Sequence, residues 1–246
     1  MIKEVIIFNH AKGKSYEETD RWYFDQHAEL TKKLPYLARY VSYRALRLPK
    51  NDFFHEPQFY RMEELWWPDR ESYKKAQSSD ENTRLLEDLN ETKTGQKVVD
   101  LKRVVLEKEI NILCPELTGR STLTMNELNG VPHVKGLWPL NYLDELSFER
   151  GDDWYLTHHT RVAARNLNFL KYVTWSPADD LGTNPGFVRF TEQWSRDWQT
   201  YLNDFESPRG KKALDDNKNE RGEWRIITKS PFLEYPHVVG NIVVFV

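Results

Sequence analysis

The stretch Trp22-Tyr23-Phe24-Asp25-Gln26-His27 occurs a second time as Trp154-Tyr155-Leu156-Thr157-His158-His159, 132 residues further along the chain. The correspondence continues without a gap to Arg39-Tyr40-Val41 in the first copy and Lys171-Tyr172-Val173 in the second. Self-similarity at a fixed spacing is the sequence signature of a duplicated structural unit. The repeat therefore predicts that the chain contains one module twice.

A second matching block follows at a spacing of 128 residues. The difference in spacing falls between the two blocks, in the turn-rich segments 48–57 and 177–185, where loops tolerate changes of length at little energetic cost. Two blocks in the same order indicate a true duplication. The matched pairs are Pro57 and Pro185, Phe59 and Phe187, Arg61 and Arg189, Glu64 and Glu192, Trp66 and Trp194, Asp69 and Asp197, and Tyr73 and Tyr201.

The residue pattern of the first copy predicts six elements in the order β-α-β-β-α-β, from apolar alternation in strands and helical periodicity elsewhere. Ser15 and Glu18 form a capping box that starts the first helix, and Pro35 ends or kinks it. In the second copy Arg150 takes the place of the glutamate, so the box is absent. The predicted strands are 4–9, 36–48, 58–65 and 98–106, the helices are 15–34 and 69–89, and the last strand of the second copy is 238–246.

This element order predicts an α+β protein built from two ferredoxin-like units. We expect the first unit at residues 1–112, a connector at 113–132 and the second unit at 133–246. A four-stranded sheet with helices on one face must cover its other face. Two such sheets can do so by closing into one pseudo-symmetric α/β barrel, with a pocket between the sheets or between each sheet and its helices.

Composition excludes several functional classes. Of the 246 residues 39% are hydrophobic and 30% charged, and the net charge is −3 with both signs interspersed, so nucleic acid and anionic membrane are not expected partners. No apolar run reaches the roughly 18 residues of a membrane span. The single cysteine, Cys114, cannot form an intramolecular disulfide. We expect a cytoplasmic protein.

The first helix carries an aromatic-x-x-x-His pattern in both copies, at Tyr23 to His27 and at Tyr155 to His159. With the following Leu34-Pro35-Tyr36-Leu37-Ala38-Arg39-Tyr40, this pattern resembles the EthD-like branch of the dimeric α/β-barrel superfamily. The second copy departs from it, because Leu167 to Tyr172 contains no proline.

The resemblance implies a pocket between sheet and helices that takes small cyclic or aromatic molecules. It also implies a range of activities: muconolactone isomerases, dehydratases and cyclases, cofactor-independent monooxygenases, and heme-handling proteins. A fold by itself does not select among these activities.

His27 is the first candidate for catalysis. It shares one helix face with Tyr23, Leu30 and Leu34, so its side chain should point inward, and His159 repeats the arrangement. A neutral imidazole can take or give a proton near pH 7. The alternative is a buried structural histidine that bonds the neighbouring strand.

Glu64 and Glu192 are the second candidates, because each shares a strand face with a tryptophan. A carboxylate beside an indole inside a barrel would have a raised pKa and could act as a base. The alternative is a glutamate at a strand end that bonds the following helix. We expect the substrate to contact Trp22, Tyr23, Tyr40, Arg44, Trp66, Tyr155, His158, Tyr172 and Trp194, with core packing, or solvent exposure for His158, as the alternative.

Cofactor motifs are missing from the sequence. There is no His-x-x-x-His or Cys-x-x-Cys for a metal and no Gly-x-Gly-x-x-Gly for a dinucleotide, so we expect neither metal nor cofactor. Heme stays open, because a single axial histidine suffices for it.

These observations favour an enzyme, a cofactor-independent lyase or isomerase that acts on a small cyclic or aromatic metabolite by histidine acid/base catalysis. A cofactor-free or heme-dependent monooxygenase and a non-catalytic binding barrel are the alternatives. We expect one active pocket, because the halves differ at Gln26 and His158, Asp25 and Thr157, and Arg44 and Ser176. A homodimer of barrels is a further possibility for its assembly.

Overall fold

The computed structural model describes most of the chain. Half of the predicted connector, residues 114–122 and 130 and thus including Cys114, lies outside the described residues. The described residues are 1–11, 13–49, 55–89, 98–113, 123–129, 131–143, 146–182, 185–218, 221–222, 225–227 and 230–245.

The first half has the predicted element order. Its first helix, α1, runs through three consecutive segments, of which the middle one is a π-helical turn. The elements are β1 (Ile2–His10), α1 (Tyr16–Trp22, Tyr23–His27 and Ala28–Thr31), β2 (Arg39–Ala45), β3 (Arg61–Trp67), α2 (Arg70–Gln77), α3 (Asp80–Leu89) and β4 (Val98–Asn111).

The second half repeats this order, including the π-helical turn at the matching position, after a short helix in the connector. The predicted fold class is therefore confirmed. The elements are α4 (Met125–Asn129), β5 (Val134–Tyr142), α5 (Phe148–Trp154, Tyr155–His159 and Thr160–Asn166), β6 (Lys171–Pro177), β7 (Arg189–Ser195), α6 (Trp198–Glu206), α7 (Pro208–Asp215), β8 (Ile226–Ile227) and β9 (His237–Val244).

The strands of the two halves close one antiparallel barrel. The first half has the order β4-β1-β3-β2 and the second β9-β5-β7-β6. β4 pairs with β6 and β2 with β9, so each half joins the other at both of its edges. The short strand β8 adds to β5 outside this ring. Closure leaves no open edge between the halves, and edges are where sheets aggregate. A homodimer would be a further level of assembly and stays a prediction.

Local sequence explains the helix starts, whereas tertiary contacts set some of the ends. The Ser15–Glu18 capping box is present, and Ser147 caps α5 through the Arg150 amide alone. The expected single helix over 69–89 is divided at residues 78–79, where the Ser79 hydroxyl accepts the Asn82 amide and starts a new helix. β4 continues beyond the predicted residue 106 because β6 of the other half pairs with it as far as Asn111.

The described chain has no helix that is both long enough and apolar enough to cross a membrane.

Each sheet has two buried faces, one towards the barrel interior and one towards the helices. The interior is filled by side chains from all eight strands, including Val5, Tyr43, Met62, Leu137, Trp175 and Phe190. The helix–sheet layer of the first half contains Ile6, Phe8, Tyr23, Tyr40 and Leu65, and that of the second half contains Trp138, Tyr155, Tyr172, Tyr201 and Phe205.

Gly136 permits the close packing of the second helix–sheet layer. A Cβ atom at this position would lie 1.8 Å from Tyr201 Oη and 2.4 Å from its Cζ. The phenol of Tyr201 lies over this glycine, donates to Gln193 at 2.8 Å and accepts from Trp138 Nε1 at 2.7 Å. In the first half the position of Gly136 is occupied by Glu4.

The variant Gly136→Ala should therefore destabilise the protein. The new methyl group displaces the fully buried Tyr201 ring and breaks its two hydrogen bonds, which costs about 1–3 kcal/mol as overpacking. Urea unfolding followed by circular dichroism measures this loss. Gly182→Ala is the control, because its Cβ would meet only a Val105 methyl group at 3.3 Å. Equal midpoints for the two variants would contradict the proposed packing.

Candidate functional site

Four oppositely charged side chains meet inside the barrel and form what we call the central charge cluster. Lys3 on β1, Lys135 on β5, Glu64 on β3 and Glu192 on β7 are all fully buried. Lys135 Nζ lies 2.5 Å from Glu64 Oε1 and 3.1 Å from Glu192 Oε1. Lys3 Nζ bonds Glu192 and lies 3.5 Å from Glu64 Oε1. Each ammonium group therefore contacts one carboxylate of each half.

Ring side chains complete the central charge cluster and follow the same repeat. Tyr43 Oη donates to Glu64 at 2.9 Å, and Trp175 Nε1 donates to Glu192 at 2.8 Å. Lys135 Nζ lies 4.2 Å from the centre of the Tyr43 ring, and Lys3 Nζ lies 4.3 Å from that of Trp175. Cation–π contacts of this kind help to stabilise a buried charge.

The central charge cluster restricts what Glu64 and Glu192 can do. Burial disfavours the charge of Glu192, but Lys135 and Lys3 outweigh burial and lower its pKa below the usual range. Burial raises the pKa of Glu64, although both lysines act in the opposite direction. Both carboxylates are enclosed by their ion pairs, so the geometry favours a structural role over the predicted role as bases.

His27 occupies a second buried cluster, in the helix–sheet layer of the first half. Its Nδ1 lies 3.2 Å from Asp88 Oδ2 and its Nε2 lies 3.5 Å from Glu63 Oε1. Glu63 also accepts the hydroxyl of Tyr40, which lies 2.7 Å from the hydroxyl of Tyr23. His27 points inward from α1, as predicted, and is 1% exposed.

Two carboxylates change the protonation of His27. Burial by itself would lower the pKa of His27, but Glu63 and Asp88 together raise it to about 9. The same contact with His27 lowers the pKa of Glu63, although burial acts against this. The imidazole is therefore a cation at neutral pH, so it is not available to take a proton from a substrate there.

The corresponding cluster in the second half lacks one carboxylate. His159 Nδ1 lies 2.9 Å from Asp216 Oδ2, and the exposed His158 shares the other oxygen of Asp216 at 2.8 Å. Glu63 is replaced by Thr191, whose hydroxyl lies 2.6 Å from that of Tyr155. Only the first half therefore joins its histidine to the tyrosine pair through a carboxylate.

A cavity of about 150 Å³ lies in the helix–sheet layer of the first half, beside the His27 cluster. Glu4 and Arg103 form its polar wall, and Arg103 Nε donates to Glu4 Oε1 at 2.9 Å. Ile6, which lines the cavity, pairs across the sheet with Glu63. The lining residues are Glu4, Ile6, Leu34, Leu65, Asn82, Leu85, Leu86, Leu89, Val98, Val99, Asp100, Leu101 and Arg103.

The second half places an aromatic ring at one of the positions that line this cavity. Trp138 stands at the position of Ile6, and its indole lies 5.5 Å from the Phe205 ring in a stacked arrangement. Tyr201 reaches the sheet over Gly136 and bonds Trp138. The two layers therefore differ in packing at this position, and the expectation of a single working pocket stays a prediction.

The structure distributes the predicted contact residues over four places. Trp22, Tyr23 and Tyr40 belong to the His27 cluster, where Trp22 Nε1 donates to Asp88 Oδ1 at 3.1 Å. Trp66 and Trp194 line the barrel interior beside the lysines. Arg44 lies at the end of the sheet, against Asp20 and Tyr60. Tyr155, His158 and Tyr172 belong to the second half.

Sequence reasoning missed several residues of these clusters. Lys3 and Lys135 are related by the spacing of 132, and Asp88 and Asp216 by the spacing of 128, so an extended repeat comparison would have found them. The differences Glu4 against Gly136 and Ile6 against Trp138 follow from the same alignment. Those two differences decide which half contains the cavity.

The described side chains of these clusters and of the cavity offer no site for a metal ion or a heme. Within the described ranges no group of three His, Cys, Asp or Glu residues could hold a metal ion. Heme iron is held by an axial His, Cys, Met or Tyr side chain, and none of these four residue types lines the cavity. Both nitrogens of His27 face carboxylates, and no histidine lines the 150 Å³ cavity. The residues of this cavity do not fit a heme.

Comparison with known proteins agrees with this architecture. A family model of the EthD domain matches residues 11–91, within the first half. None of the curated proteins matches the chain.

Several solved structures resemble both halves together. An anthrone oxidase-like protein has a TM-score of 0.57 at 10% identity, covering 99% of this chain and 92% of its own. A putative monooxygenase from Lactobacillus acidophilus has a TM-score of 0.51 at 10% identity, covering 100% and 99%. A mutant chlorite dismutase from Candidatus Nitrospira defluvii has a TM-score of 0.54 at 12% identity, covering 97% and 91%. At these identities the likeness establishes the fold.

Removing one charge from the central charge cluster should destabilise the barrel strongly. Lys135→Met leaves Glu64 with only the more distant Lys3, and an unpaired buried charge costs about 3–5 kcal/mol. Urea unfolding measures the loss, and Lys135→Met/Glu64→Gln should recover part of it. The control Lys75→Met, in an exposed helix pair with Glu71, should leave the midpoint essentially unchanged. Similar midpoints for both single variants would contradict the central role of this cluster.

The charge of His27 predicts a specific pH dependence. Its pKa is about 9 in the fold against 6.5 for an ordinary histidine. The stabilisation by the charged form is therefore complete below pH 6.5 and is lost as the pH rises through 9, by up to roughly 3 kcal/mol.

Urea unfolding of the wild type and His27→Gln between pH 6 and 10 tests this prediction. The difference in unfolding free energy between them should shrink as the pH rises. Glu63→Gln should weaken the pH dependence, because it removes the carboxylate with the largest effect on His27. A difference that stays constant over this range would rule out a charged His27.

Proposed function

Because the chain is an EthD-like member of the dimeric α/β-barrel superfamily, with both units of the barrel in one polypeptide, we propose that its first half is a cofactor-independent oxygenase. The proposed substrate is a small, uncharged, single-ring molecule, and the proposed site is the cavity between β1, β4 and α3. The observation that carries this proposal is the cavity itself, whose counterpart in the second half is filled by Trp138, Tyr201 and Phe205.

The size and the lining of the cavity support this class of substrate. An apolar protein cavity of about 150 Å³ accepts benzene. Most of the lining side chains are aliphatic, so they favour a ring over a polar chain. The charge of Arg103 is already balanced by Glu4, which argues for an uncharged ligand.

Glu4 is the group best placed to begin the chemistry. It is 2% exposed, and Oε1 accepts the described bonds from Arg103 and Tyr73. Oε2, which has no partner in the described part of the chain, is available to take a proton from a ring methylene or hydroxyl. The resulting carbanion or phenolate is electron-rich enough to reduce molecular oxygen. A ring methylene, or a ring C–H carbon of the phenolate, becomes a carbonyl with one atom of O₂. The other oxygen atom leaves as water with the two hydrogens that the substrate loses (both of the methylene, or the ring C–H and the hydroxyl), and the substrate supplies all four electrons.

Oxygen chemistry is preferred to the lyase or isomerase expected from the sequence for two reasons. The expected base, His27, is held as a cation between two carboxylates. Structures with the same fold are described as a putative monooxygenase and an anthrone oxidase-like protein. These names support oxygen as co-substrate, whereas neither reason supports elimination or lactone rearrangement.

A non-catalytic binding protein is the second candidate. Its support is that the predicted acid/base residues His27, Glu64 and Glu192 are all engaged in buried ion pairs. Both candidates use the same cavity and differ only in turnover.

Filling the cavity tests the site. Ile6→Trp introduces the side chain that the second half carries at the same position, so the first layer should close as the second one does. Binding of phenol, followed by ligand-observed NMR, should weaken by at least about tenfold, which corresponds to one or more buried ring contacts. Val131→Trp, which adds an indole at an exposed position, is the matched control. Unchanged phenol binding by Ile6→Trp would exclude this cavity.

A second variant separates catalysis from binding. Glu4→Gln keeps the shape of the wall but removes the proton acceptor, so oxygen consumption with phenol, resorcinol or hydroquinone should fall about 10²- to 10⁴-fold while phenol still binds. An oxygen electrode measures this rate. If the wild type binds phenol but consumes no oxygen with any of the three, the non-catalytic candidate replaces the oxygenase.

A further inference from the structure

A second cluster that occurs in only one half lies near the start of α1, where β1, β2 and β3 end or begin. It consists of His10, Tyr16, Arg44 and Tyr60. The repeat places Tyr142, Phe148, Ser176 and Val188 at the same four positions of the second half. The first half thus has an imidazole, two phenols and a guanidinium where the second half has the Tyr142 phenol, a phenyl ring, a small hydroxyl and a valine side chain.

The second half has a different arrangement at these positions, in which Asp152 Oδ1 also accepts the Tyr142 hydroxyl at 2.8 Å. Arg189 forms a two-pronged ion pair with Asp152, with Nε and Nη2 each 2.8 Å from a carboxylate oxygen. Its Nη1 donates to the Ser176 hydroxyl at 2.8 Å. Such a paired geometry is the most favourable one between arginine and a carboxylate.

In the first half the corresponding arginine, Arg61, does not form this two-pronged ion pair. Asp20 Oδ2 accepts Arg44 Nη2 at 2.9 Å, and Asp20 Oδ1 accepts both Tyr60 Oη at 2.6 Å and Arg61 Nη2. Arg61 Nε is left buried without a partner in the described structure, although the side chain is only 2% exposed. Leaving a buried donor unpaired is unfavourable. Compared with Arg189, Arg61 therefore lacks one hydrogen bond to its aspartate, and Asp20 bonds Arg44 and Tyr60 as well.

Asp20 and Tyr60 position the Arg44 guanidinium beside a partly exposed aromatic surface. The Arg44 guanidinium lies 4.8 Å from the centre of the Tyr60 ring, and its side chain is 34% exposed. Its Nη1 has no partner among the described residues. Tyr16 stacks on Tyr60 at 4.7 Å and is 44% exposed. The His10 ring meets Tyr16 edge-on at 4.7 Å, and its buried Nδ1 has no partner in the described ranges.

We infer that His10, Tyr16, Arg44 and Tyr60 form a binding site for a planar aromatic carboxylate. The carboxylate would bind the open Nη1 of Arg44, because guanidinium groups prefer carboxylates, and the ring would pack against Tyr16.

The local charge supports an anionic ligand. Arg44 and Arg61 share one inner carboxylate, Asp20, and the second nearby carboxylate, Glu17, lies in the exposed first turn of α1, where it acts on the Arg44 charge without a described ion pair. None of these residues lines the 150 Å³ cavity, so the site is separate from the proposed oxygenase site and does not rest on it.

Calorimetric titration with 2-naphthoate tests this inference. The wild type should bind 2-naphthoate at least about tenfold more tightly than the uncharged 2-naphthylmethanol, since the difference between the two is the bond to Arg44. The double variant Arg44→Ser/Tyr60→Val introduces the residues of the second half. It should weaken 2-naphthoate binding at least about tenfold and keep or raise the thermal midpoint, because Arg61 regains both oxygens of Asp20.

The remaining outcomes decide against the inference. No binding of 2-naphthoate or benzoate by the wild type at millimolar concentration overturns it, and so does equal binding of 2-naphthylmethanol. Unchanged binding by Arg44→Ser/Tyr60→Val overturns it as well. Ile6→Trp is the control for the other site and should bind 2-naphthoate as the wild type does. If Ile6→Trp abolishes that binding, the acid occupies the cavity and this second site is excluded.

Discussion

The barrel depends on two lysines and two glutamates that neutralise each other at its centre. Each half contributes one residue of each charge, and each ammonium contacts carboxylates of both halves. Charges this deeply buried are tolerated only when they are paired and hydrogen-bonded. Each half therefore needs the other, for charge pairing as well as for strand pairing at β4–β6 and β2–β9. The same cluster occupies the centre of the barrel, and the described cavity lies outside it, in a helix–sheet layer.

Duplication within one chain allows the two layers to differ. The second layer keeps a packed arrangement, in which Gly136 admits the Tyr201 ring and Trp138 stacks on Phe205. The first layer has Glu4 and Ile6 at the positions of Gly136 and Trp138, and contains a cavity with a carboxylate in its wall. The same division holds at the start of the first helix, where Arg189 keeps both oxygens of Asp152 but Arg61 shares Asp20 with Arg44 and Tyr60. The second half thus provides an internal reference for what the fold alone requires.

Much of the architecture could be predicted because it rests on local patterns. Strand alternation, the Ser15 cap and the inward face of the first helix act over a few residues, and the repeat doubled the evidence for each. The site could be predicted only in part. His27 was identified, but its charge depends on Glu63 and Asp88, which come from a strand and a helix distant in sequence. The repeat drew attention to Glu64, whereas the residue that distinguishes the halves is its neighbour Glu63, on the opposite face of the same strand.

The sequence by itself determined the duplicated module, the order of its elements and the absence of a pattern for metal or dinucleotide binding. Tertiary structure confirmed the predicted closure of the two halves into one barrel. It alone decided that Lys3 and Lys135 neutralise Glu64 and Glu192, and that the first layer contains the described cavity. The physical reason is the range of the forces involved. Periodicity and capping act between neighbours along the chain, whereas the pairing of buried charges and the filling of a cavity depend on which side chains the folded strands bring together.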